Sequence, residues 1–282
     1  MKLLFKFFGL FSWIISACLL VSPVSAKTGE LILGIHPYLP ALELEKRFSP
    51  LADYLSKYLG TRVTIKVSPS YIEHIQRVAR GEVDIAYLGP VPLVRAYKIN
   101  PDLKLLARLE VDGKPVFFGK IVTHDNSGID NLQQLKSKKF AFGSKSSTMS
   151  HLVPRYELIQ TGVFEQLAGF KHLKGHKSVA IAVMLGKYDA GAVKEEVFNL
   201  YKDQGMKLIH TTQPISEHVF VASEQLPEAK IKLIRESLLS IKQAESGLGI
   251  IQSIKPDVTN LVQVNFSDYD NLKVLLDELG GI

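Results

Sequence analysis

Residues 72–89 read IEHIQRVARGEVDIAYLG, and the pattern of this stretch decides the fold. Apolar residues recur at helical spacing in IEHIQRVARG, which predicts a helix that ends at Gly81. The next segment, VDIAYLG (83–89), is a short apolar run bounded by glycines and predicts a buried strand. The chain therefore passes from an amphipathic helix through a glycine directly into a strand.

The segments that precede this stretch complete a strand–helix–strand unit. LILGI (31–35) and RVTIKV (62–67) are apolar or alternating and predict strands. Between them, the helical pattern of 41–60 ends at Gly60, and Pro50 marks a candidate break inside it. The first half of the chain thus follows the order strand, helix, strand, helix, strand.

The same order recurs from residue 139 onward. We predict strands at 139–143, 169–175 and 188–193, and helices at 149–162 and 176–186. Pro154 is expected to kink the first of these helices or to mark where regular helix restarts. The local sequence also recurs, since ARGEVDIAYLG and MLGKYDAGAV each place a glycine between a helix and an Asp-containing strand. One architecture is therefore used twice.

Strands that alternate with helices indicate an α/β fold with two open, mostly parallel sheets that face each other across a cleft. We expect residues 27–122 and 216–282 to form lobe 1 and residues 123–215 to form lobe 2, with the C-terminal stretch packed back on lobe 1. In open α/β sheets, ligands bind at the carboxyl ends of the strands. That rule selects the loops 36–40, 68–72, 87–92, 144–150, 174–177 and 194–196.

The first 26 residues have the pattern of a secretory signal. Lys2 and Lys6 flank the start of an apolar run, and the small residues that end at Ala26 fit a signal-peptidase site. We expect cleavage after Ala26 and a periplasmic protein. The alternative is that Ile15–Cys18 acts as a lipobox, which would place a lipid anchor on Cys18, the only cysteine.

The composition excludes several classes of function. The net charge of +6 is mild and the basic residues are dispersed, so no nucleic-acid interface is expected. No nucleophile elbow, Walker loop or dinucleotide fingerprint is present, which argues against an enzyme. His172 and His176 stand four residues apart, but Gly175 and the predicted strand-to-turn setting do not suit a metal site. We expect no cofactor and no metal.

The stretch SKSSTMSHLVP (144–154) places hydroxyl groups where a strand ends and a helix begins. A helix N-terminus has free backbone N–H groups and a partial positive charge, so this cluster suits an oxyanion. An ordinary N-cap by Ser146 or Ser147 explains the same residues. His176 opens the next helix of this half, where it either donates to an anion or caps the helix.

Residues 30–270 resemble the PhnD-like periplasmic binding proteins of phosphate, phosphite and phosphonate ABC transporters. The resemblance is carried by the stretches SPLADYLSKYLG (49–60), SPSYIEHIQRVARGEVDIAYLGP (68–90), SSTMSHLVP (146–154) and KGHKSVAIAVMLGKYDAGAV (174–193). It implies a type II periplasmic binding fold and a protein, expected to be a monomer, that delivers a small phosphorus oxyanion to an ABC permease. A sensor of the same fold, and a binder of another oxyanion or a small organic acid, remain as alternatives.

The resemblance also implies roles for individual residues. Ser147 and Thr148 would contact the phosphoryl oxygens, Tyr71 would reach into the cleft, and His176 would contact the phosphoryl group. Glu196 falls where aminoalkylphosphonate binders have an acid for the amine of the ligand.

Four positions depart from the family pattern. Met149 replaces a third hydroxyl residue, with Ser150 in place of a glycine beside it. Phe117 stands where phosphonate binders often have tyrosine, and the loop that carries His218 lacks the expected aspartate. These departures leave phosphate, phosphite or a simple alkylphosphonate open. The full set of candidate ligand-binding residues is Tyr38, Tyr71, Tyr87, Phe117, Ser147, Thr148, Met149, Ser150, His176, Glu196 and His218. Tyr38 and Tyr87 are also explained by packing beside apolar strands.

Overall fold

Two separate β-sheets organise the chain, of which the computed structural model describes residues 29–280. The predicted signal peptide, with Cys18 and the cleavage site after Ala26, lies outside the described residues. The strands are β1 Leu31–Ile35, β2 Val63–Val67, β3 Ile85–Leu88, β4 Lys104–Val111, β5 Val116–Phe117, β6 Gly119–His124, β7 Lys139–Phe142, β8 Gly169–His172, β9 Ala190–Lys194, β10 Met206–Thr211, β11 Ile215–Ser216, β12 Val219–Ala222 and β13 Val258–Val262. The α-helices are α1 Ala41–Leu59, α2 Tyr71–Ala79, α3 Pro90–Ile99, α4 Val153–Gln160, α5 His176–Met184, α6 Glu195–Tyr201, α7 Glu228–Ser240, α8 Gly247–Ile254 and α9 Asp270–Glu278. Within residues 29–280, none of the helices is both long enough and apolar enough to cross a bilayer.

The two sheets share one strand order. The first runs β2-β1-β3-β12-β4-β13 and the second runs β8-β7-β9-β6-β10. In each, the first strand of the half lies between the second and third and is parallel to both. The repeated architecture expected from the sequence is therefore present in the hydrogen-bonding pattern.

Both sheets are mixed: the pairs among the first three strands of each half are parallel, as expected, whereas the pairs in the outer half of each sheet are antiparallel. Strand β12 is antiparallel to β3 and β4, and β6 is antiparallel to β9 and β10. The reason is connectivity. Strands β6 and β12 are the segments that enter the second sheet and return to the first, and each inserts beside the third strand of its half. The type II order results from these two insertions.

A short antiparallel ladder of β5 with β11 lies between the two sheets. Strand β6 belongs to the second sheet from Gly119 onward, so the expected lobe boundary at 122/123 falls inside a strand. We propose that each sheet with its helices forms one lobe, and that the chain crosses between the lobes at β5 and β11.

Pro50 and Pro154 have different effects on the helices that contain them. Helix α1 continues through Pro50, because burial of residues such as Phe48 and Leu51 on its inner face outweighs the loss of one helical hydrogen bond. Pro154 stands in the first turn of α4, after a π-helical turn at Thr148–Leu152. Because proline has no N–H, the Ser150 carbonyl instead accepts from the Gly143 N–H at 2.8 Å. Regular helix therefore restarts at Val153, immediately before Pro154, and a restart was one of the two outcomes expected there.

Apolar side chains cover the faces of both sheets and also fill the space between the two sheets. Helices α1, α7 and α8 pack on one face of the first sheet. A separate cluster joins Met149, Leu152 and Val153 from the second half to Val91 and Phe117 from the first, and α9 contributes Leu272, Leu275 and Leu276 to it. This cluster holds the π-helical turn against α3, which positions the loops described next.

Candidate functional site

The candidate residues meet between the two sheets, around two adjoining cavities that each have room for about one water molecule (≈ 10 Å³). The inner cavity is lined by His36, Tyr38, Tyr71, Gly89, Pro92, Phe117, Ser147, Thr148, Met149, His176, Lys194 and His218. The side cavity is lined by Tyr38, Tyr87, Phe117, Lys194, Glu195, Glu196, His218 and Lys255. Ten of the eleven sequence-predicted residues line at least one of the two cavities, and Ser150 lines neither.

His176 is the first residue of α5 and is buried. Its Nδ1 accepts from the Lys194 backbone N–H at 3.0 Å, so the proton of the neutral ring is on Nε2. The Nε2–H group donates to the Ser147 hydroxyl at 3.3 Å. Burial, reinforced by the Lys194 ammonium, lowers the pKa of His176 to about 3. The imidazole is therefore a neutral hydrogen-bond donor directed at the inner cavity.

Three hydroxyl groups from both halves of the chain lie beside His176. The Ser147 hydroxyl accepts from the Ser150 N–H at 3.2 Å, which caps the π-helical turn, and it also pairs with the Tyr71 hydroxyl. The Thr148 hydroxyl accepts from the Val91 N–H at 3.1 Å, across the space between the sheets. One proton of the Ser147–Tyr71 pair lies between its two oxygens, so the three hydroxyls keep two protons for donation, and the residues of the helix cap belong to the donor cluster.

Met149 and Ser150 point away from the donor cluster. The Met149 side chain is buried in the apolar cluster with Phe117, and its sulfur accepts from the Thr212 hydroxyl at 3.7 Å. The Ser150 hydroxyl donates to the Ala192 carbonyl. The missing third hydroxyl is therefore not replaced by Ser150, whose side chain is used to join the π-helical turn to β9.

Aromatic and imidazole rings form the wall on the side of the first sheet. His218 and His36 stack on Tyr87 at centroid distances of 5.3 and 5.5 Å, and His218 contacts Phe117 at 4.9 Å. Nδ1 of His36 faces the Tyr87 carbonyl at 3.1 Å, so it carries the proton and Nε2 is an acceptor. Tyr38, Tyr87 and Phe117 supply apolar ring faces to the cavities rather than charge.

A buried ion pair closes one side of both cavities. The Lys194 ammonium donates to the Glu196 carboxylate at 2.6 Å and lies 4.1 Å from the centre of the Tyr38 ring. Glu196 also pairs with Arg47 of α1 at 2.6 Å. Burial acts to raise the pKa of Glu196, but the two cations outweigh it and lower that pKa to about 2. Glu196 is therefore an ionised, fully paired carboxylate.

A second buried carboxylate lies behind His218. Glu217 accepts from Lys255 at 2.7 Å and from Nδ1–H of His218 at 2.8 Å. Burial acts to raise the pKa of Glu217, yet Lys255 and His218 hold it well below its usual range. Burial lowers the pKa of His218, so its ring is neutral and Nε2 is the acceptor on the cavity side.

Four further residues of the site were not predicted from the sequence: His36, Lys194, Arg47 and Lys255. His36 and Lys194 fall in the loops 36–40 and 194–196, which the carboxyl-end rule had selected, so the signal for both was present. Arg47 and Lys255 act through partners far away in sequence, and no local pattern indicates them.

The arrangement is suited to binding a small anion. It offers a neutral N–H donor, three hydroxyls and a buried ammonium in a space that excludes bulk water, where hydrogen bonds to a charged group are strongest. Within residues 29–280, no group of three or more His, Cys, Asp or Glu side chains is arranged to hold a metal ion.

Comparison with known proteins gives concordant matches. A sequence model of the family described as ABC transporter, phosphonate, periplasmic substrate-binding protein matches residues 33–269. The chain is 28% identical over 243 residues to the probable ABC transporter phosphite binding protein PhnD1 of Prochlorococcus marinus (strain MIT 9301), covering 78% of this chain and 80% of that protein. It is 26% identical over 270 residues to the phosphate-import protein PhnD of Mycolicibacterium smegmatis, covering 84% and 82%.

The fold is also found among solved structures. The structure of PhnD1 from Prochlorococcus marinus (MIT 9301) in complex with methylphosphonate matches with a TM-score of 0.81 at 23% identity, and the match covers 90% of this chain and all of that one. The two chains therefore share one fold over nearly their whole length.

Proposed function

The chain belongs to the family of phosphonate periplasmic substrate-binding proteins of ABC transporters, and we propose that it binds a phosphorus oxyanion between its two sheets and delivers it to a permease. The ligand class comprises phosphonate, phosphite and phosphate. Relatives named for binding phosphite and importing phosphate support this class. We propose binding without turnover, because the relatives are transport proteins.

The geometry of His176 is the observation that carries the proposal. Its Nδ1 is occupied by the Lys194 N–H, so its Nε2–H is fixed as a donor that points at Ser147. A neutral donor costs less to bury than an imidazolium and still forms a charge-assisted hydrogen bond with an oxyanion. We assign the phosphoryl oxygens to His176, Ser147, Thr148 and Tyr71.

The remaining predicted residues take other roles in this proposal. Tyr38, Tyr87, Phe117 and His218 surround the substituent of the ligand. Glu196 orients Lys194 instead of contacting the ligand. Met149 and Ser150 fix the π-helical turn whose first residues carry the donors.

Isothermal titration calorimetry with phosphate, phosphite, methylphosphonate and sulfate tests the proposal. We expect at least one phosphorus oxyanion to bind roughly a hundredfold or more tightly than sulfate, a difference of about 2.7 kcal/mol. Preferential binding of sulfate would instead support the alternative of another oxyanion. A chain that binds none of the four ligands would refute the proposal.

The cellular role can be tested separately. We propose a periplasmic protein that partners with an ABC permease, functions as a monomer and is released by cleavage after Ala26, with a lipid on Cys18 as the alternative. The intact mass of the protein purified from its own host distinguishes a chain that begins at Lys27 from a diacylated Cys18. Deletion of the gene should abolish uptake of the ligand, whereas intact uptake with a lost transcriptional response would support the sensor alternative.

A further inference from the structure

Lys194 places a buried ammonium group in the wall that the two cavities share. Its side chain is 7% exposed, and the residue lines both the inner and the side cavity. The ammonium is held by Glu196 on one side and by the face of Tyr38 on the other. A cation over an aromatic ring with a carboxylate beside it is a complete binding site for an ammonium group. In this protein the ammonium group that fills this site belongs to Lys194 of the chain itself.

The other carboxylates around the side cavity are also paired internally. Glu217 is held by Lys255 and His218, and Glu195 pairs with Lys120 at 2.8 Å. Glu196 has a second cation, Arg47, in addition to Lys194. Each carboxylate that lines or borders the side cavity therefore already has a cation of the protein beside it.

A ligand bound at the donor cluster would direct its substituent toward Lys194, because Lys194, Tyr38, Phe117 and His218 form the passage between the two cavities. A substituent with an ammonium group would meet Lys194 and Lys255 in a space without bulk water, where like charges repel strongly. The small volume of the side cavity, ≈ 10 Å³, adds a limit on size.

We propose that Lys194 is a specificity-determining residue, whose ammonium group occupies the position that an amine-bearing substituent would need. The site then accepts phosphorus oxyanions with a small uncharged substituent, such as phosphite and methylphosphonate, and rejects aminoalkylphosphonates. This inference rests on the proposed function and narrows its ligand class.

The test is calorimetric titration of the parent, Lys194→Met and the exposed-lysine control Lys187→Met. The ligands are methylphosphonate, 2-aminoethylphosphonate and propylphosphonate, which matches the second in length but has no charge. The parent and the control should bind methylphosphonate at least roughly a hundredfold more tightly than aminoethylphosphonate, as expected for a juxtaposition of like charges. In Lys194→Met, Oε2 of Glu196 becomes available to the ligand while Oε1 stays paired with Arg47, so affinity for aminoethylphosphonate relative to propylphosphonate should rise at least about tenfold.

Circular dichroism and melting temperature show whether each variant is folded. Lys194→Gln, which keeps a hydrogen-bond donor for Glu196 without the charge, replaces Lys194→Met if the latter is unstable. An equal change for aminoethylphosphonate and propylphosphonate would show that Lys194 only fills space, and would overturn the inference. If the parent binds aminoethylphosphonate with an affinity within tenfold of that for methylphosphonate, the inference about Lys194 is also overturned. The proposed function would stand in that case. A parent that binds no phosphorus ligand would refute the proposed function itself.

Discussion

The two ring nitrogens of His176 make different hydrogen bonds, and two substitutions each remove one of these bonds. Nδ1 accepts from the backbone N–H of Lys194, and Nε2–H donates toward Ser147. An asparagine at this position places an amide oxygen near the location of Nδ1, whereas a glutamine places an amide NH₂ group near the location of Nε2. His176→Asn should therefore lose the donor and keep the acceptor, and His176→Gln should do the reverse.

The magnitudes follow from what each variant leaves unpaired. Loss of one hydrogen bond to a charged oxyanion costs about 1.5–3 kcal/mol, so His176→Asn should weaken binding roughly ten- to a hundredfold. Its stability should change little, because the Lys194 N–H keeps an acceptor. His176→Gln should bind nearly as tightly as the parent. It leaves a buried N–H without a partner, which should lower the free energy of unfolding by about 1–3 kcal/mol.

Calorimetric titration with methylphosphonate measures the affinity, and urea denaturation without ligand measures the free energy of unfolding. His176→Asn should therefore be defective in binding, and His176→Gln should be defective in stability. If His176→Asn binds as tightly as the parent while His176→Gln does not, the proton is on the other nitrogen. If neither variant weakens binding, His176 serves only to begin α5, and the assignment of the oxyanion to this ring is refuted.

Three further predictions follow from the same geometry. Thr148→Val removes a hydroxyl at nearly constant volume and should weaken methylphosphonate binding roughly ten- to a hundredfold, whereas Ser144→Ala should change it less than about twofold in the same titration. Met149→Ser should lower the free energy of unfolding by about 2–5 kcal/mol in urea, because the side chain packs in an apolar cluster; a variant that is equally stable and binds more tightly would contradict this packing role. Burial lowers the pKa of His74 to about 4 and that of His176 to about 3. Unfolding therefore takes up protons below the ordinary value near 6.5, and the free energy of unfolding should fall by about 2 kcal/mol per histidine between pH 7.5 and pH 5. Equal stability at the two pH values would show that these rings are not buried in neutral form.

The order of helices and strands could be predicted from the sequence because its signals are local. Glycines in the left-handed conformation at positions 60, 81 and 162 stop or follow helices where the pattern predicted helix ends. The direction of the outer strands could not be predicted, since an apolar pattern records burial and not the direction of the neighbouring strand. Strands β6 and β12 were not predicted individually, so their antiparallel pairing was not foreseen, and the expected lobe boundary at 122/123 falls inside β6.

The sequence predicted the position of the candidate site only where its residues lie at the carboxyl ends of predicted strands. The loops after β7 and β8 supply Ser147 and His176, which are hydrogen-bonded in the structure. The role of Glu196 was not predictable from the chain itself, because its partner Arg47 lies 149 residues away. Sequence identifies a carboxylate at this position but not whether that carboxylate is free. An unpaired carboxylate at position 196 would attract an amine of the ligand, whereas a paired Glu196 orients Lys194.

The charges at the site also connect the two sheets. Lys177 pairs with Glu43 at 2.8 Å, Glu43 with Arg47 at 2.9 Å, Arg47 with Glu196 at 2.6 Å, and Glu196 with Lys194 at 2.6 Å. Glu43 and Arg47 are on α1 of the first half, so two of these four pairs cross to the second half and would separate if the cleft opened. The Lys177 and Glu43 side chains are 33% and 29% exposed, and ion pairs near the surface contribute only about 0–1 kcal/mol each. The Lys177–Glu43 pair therefore contributes little to holding the two halves together, whereas the Arg47–Glu196 pair, with side chains 22% and 15% exposed, is better shielded from solvent. If the proposed oxyanion binds between the two halves, Thr148 and His176 of one half and Tyr71 of the other would all donate to it, and ligand binding and closure would then be one equilibrium.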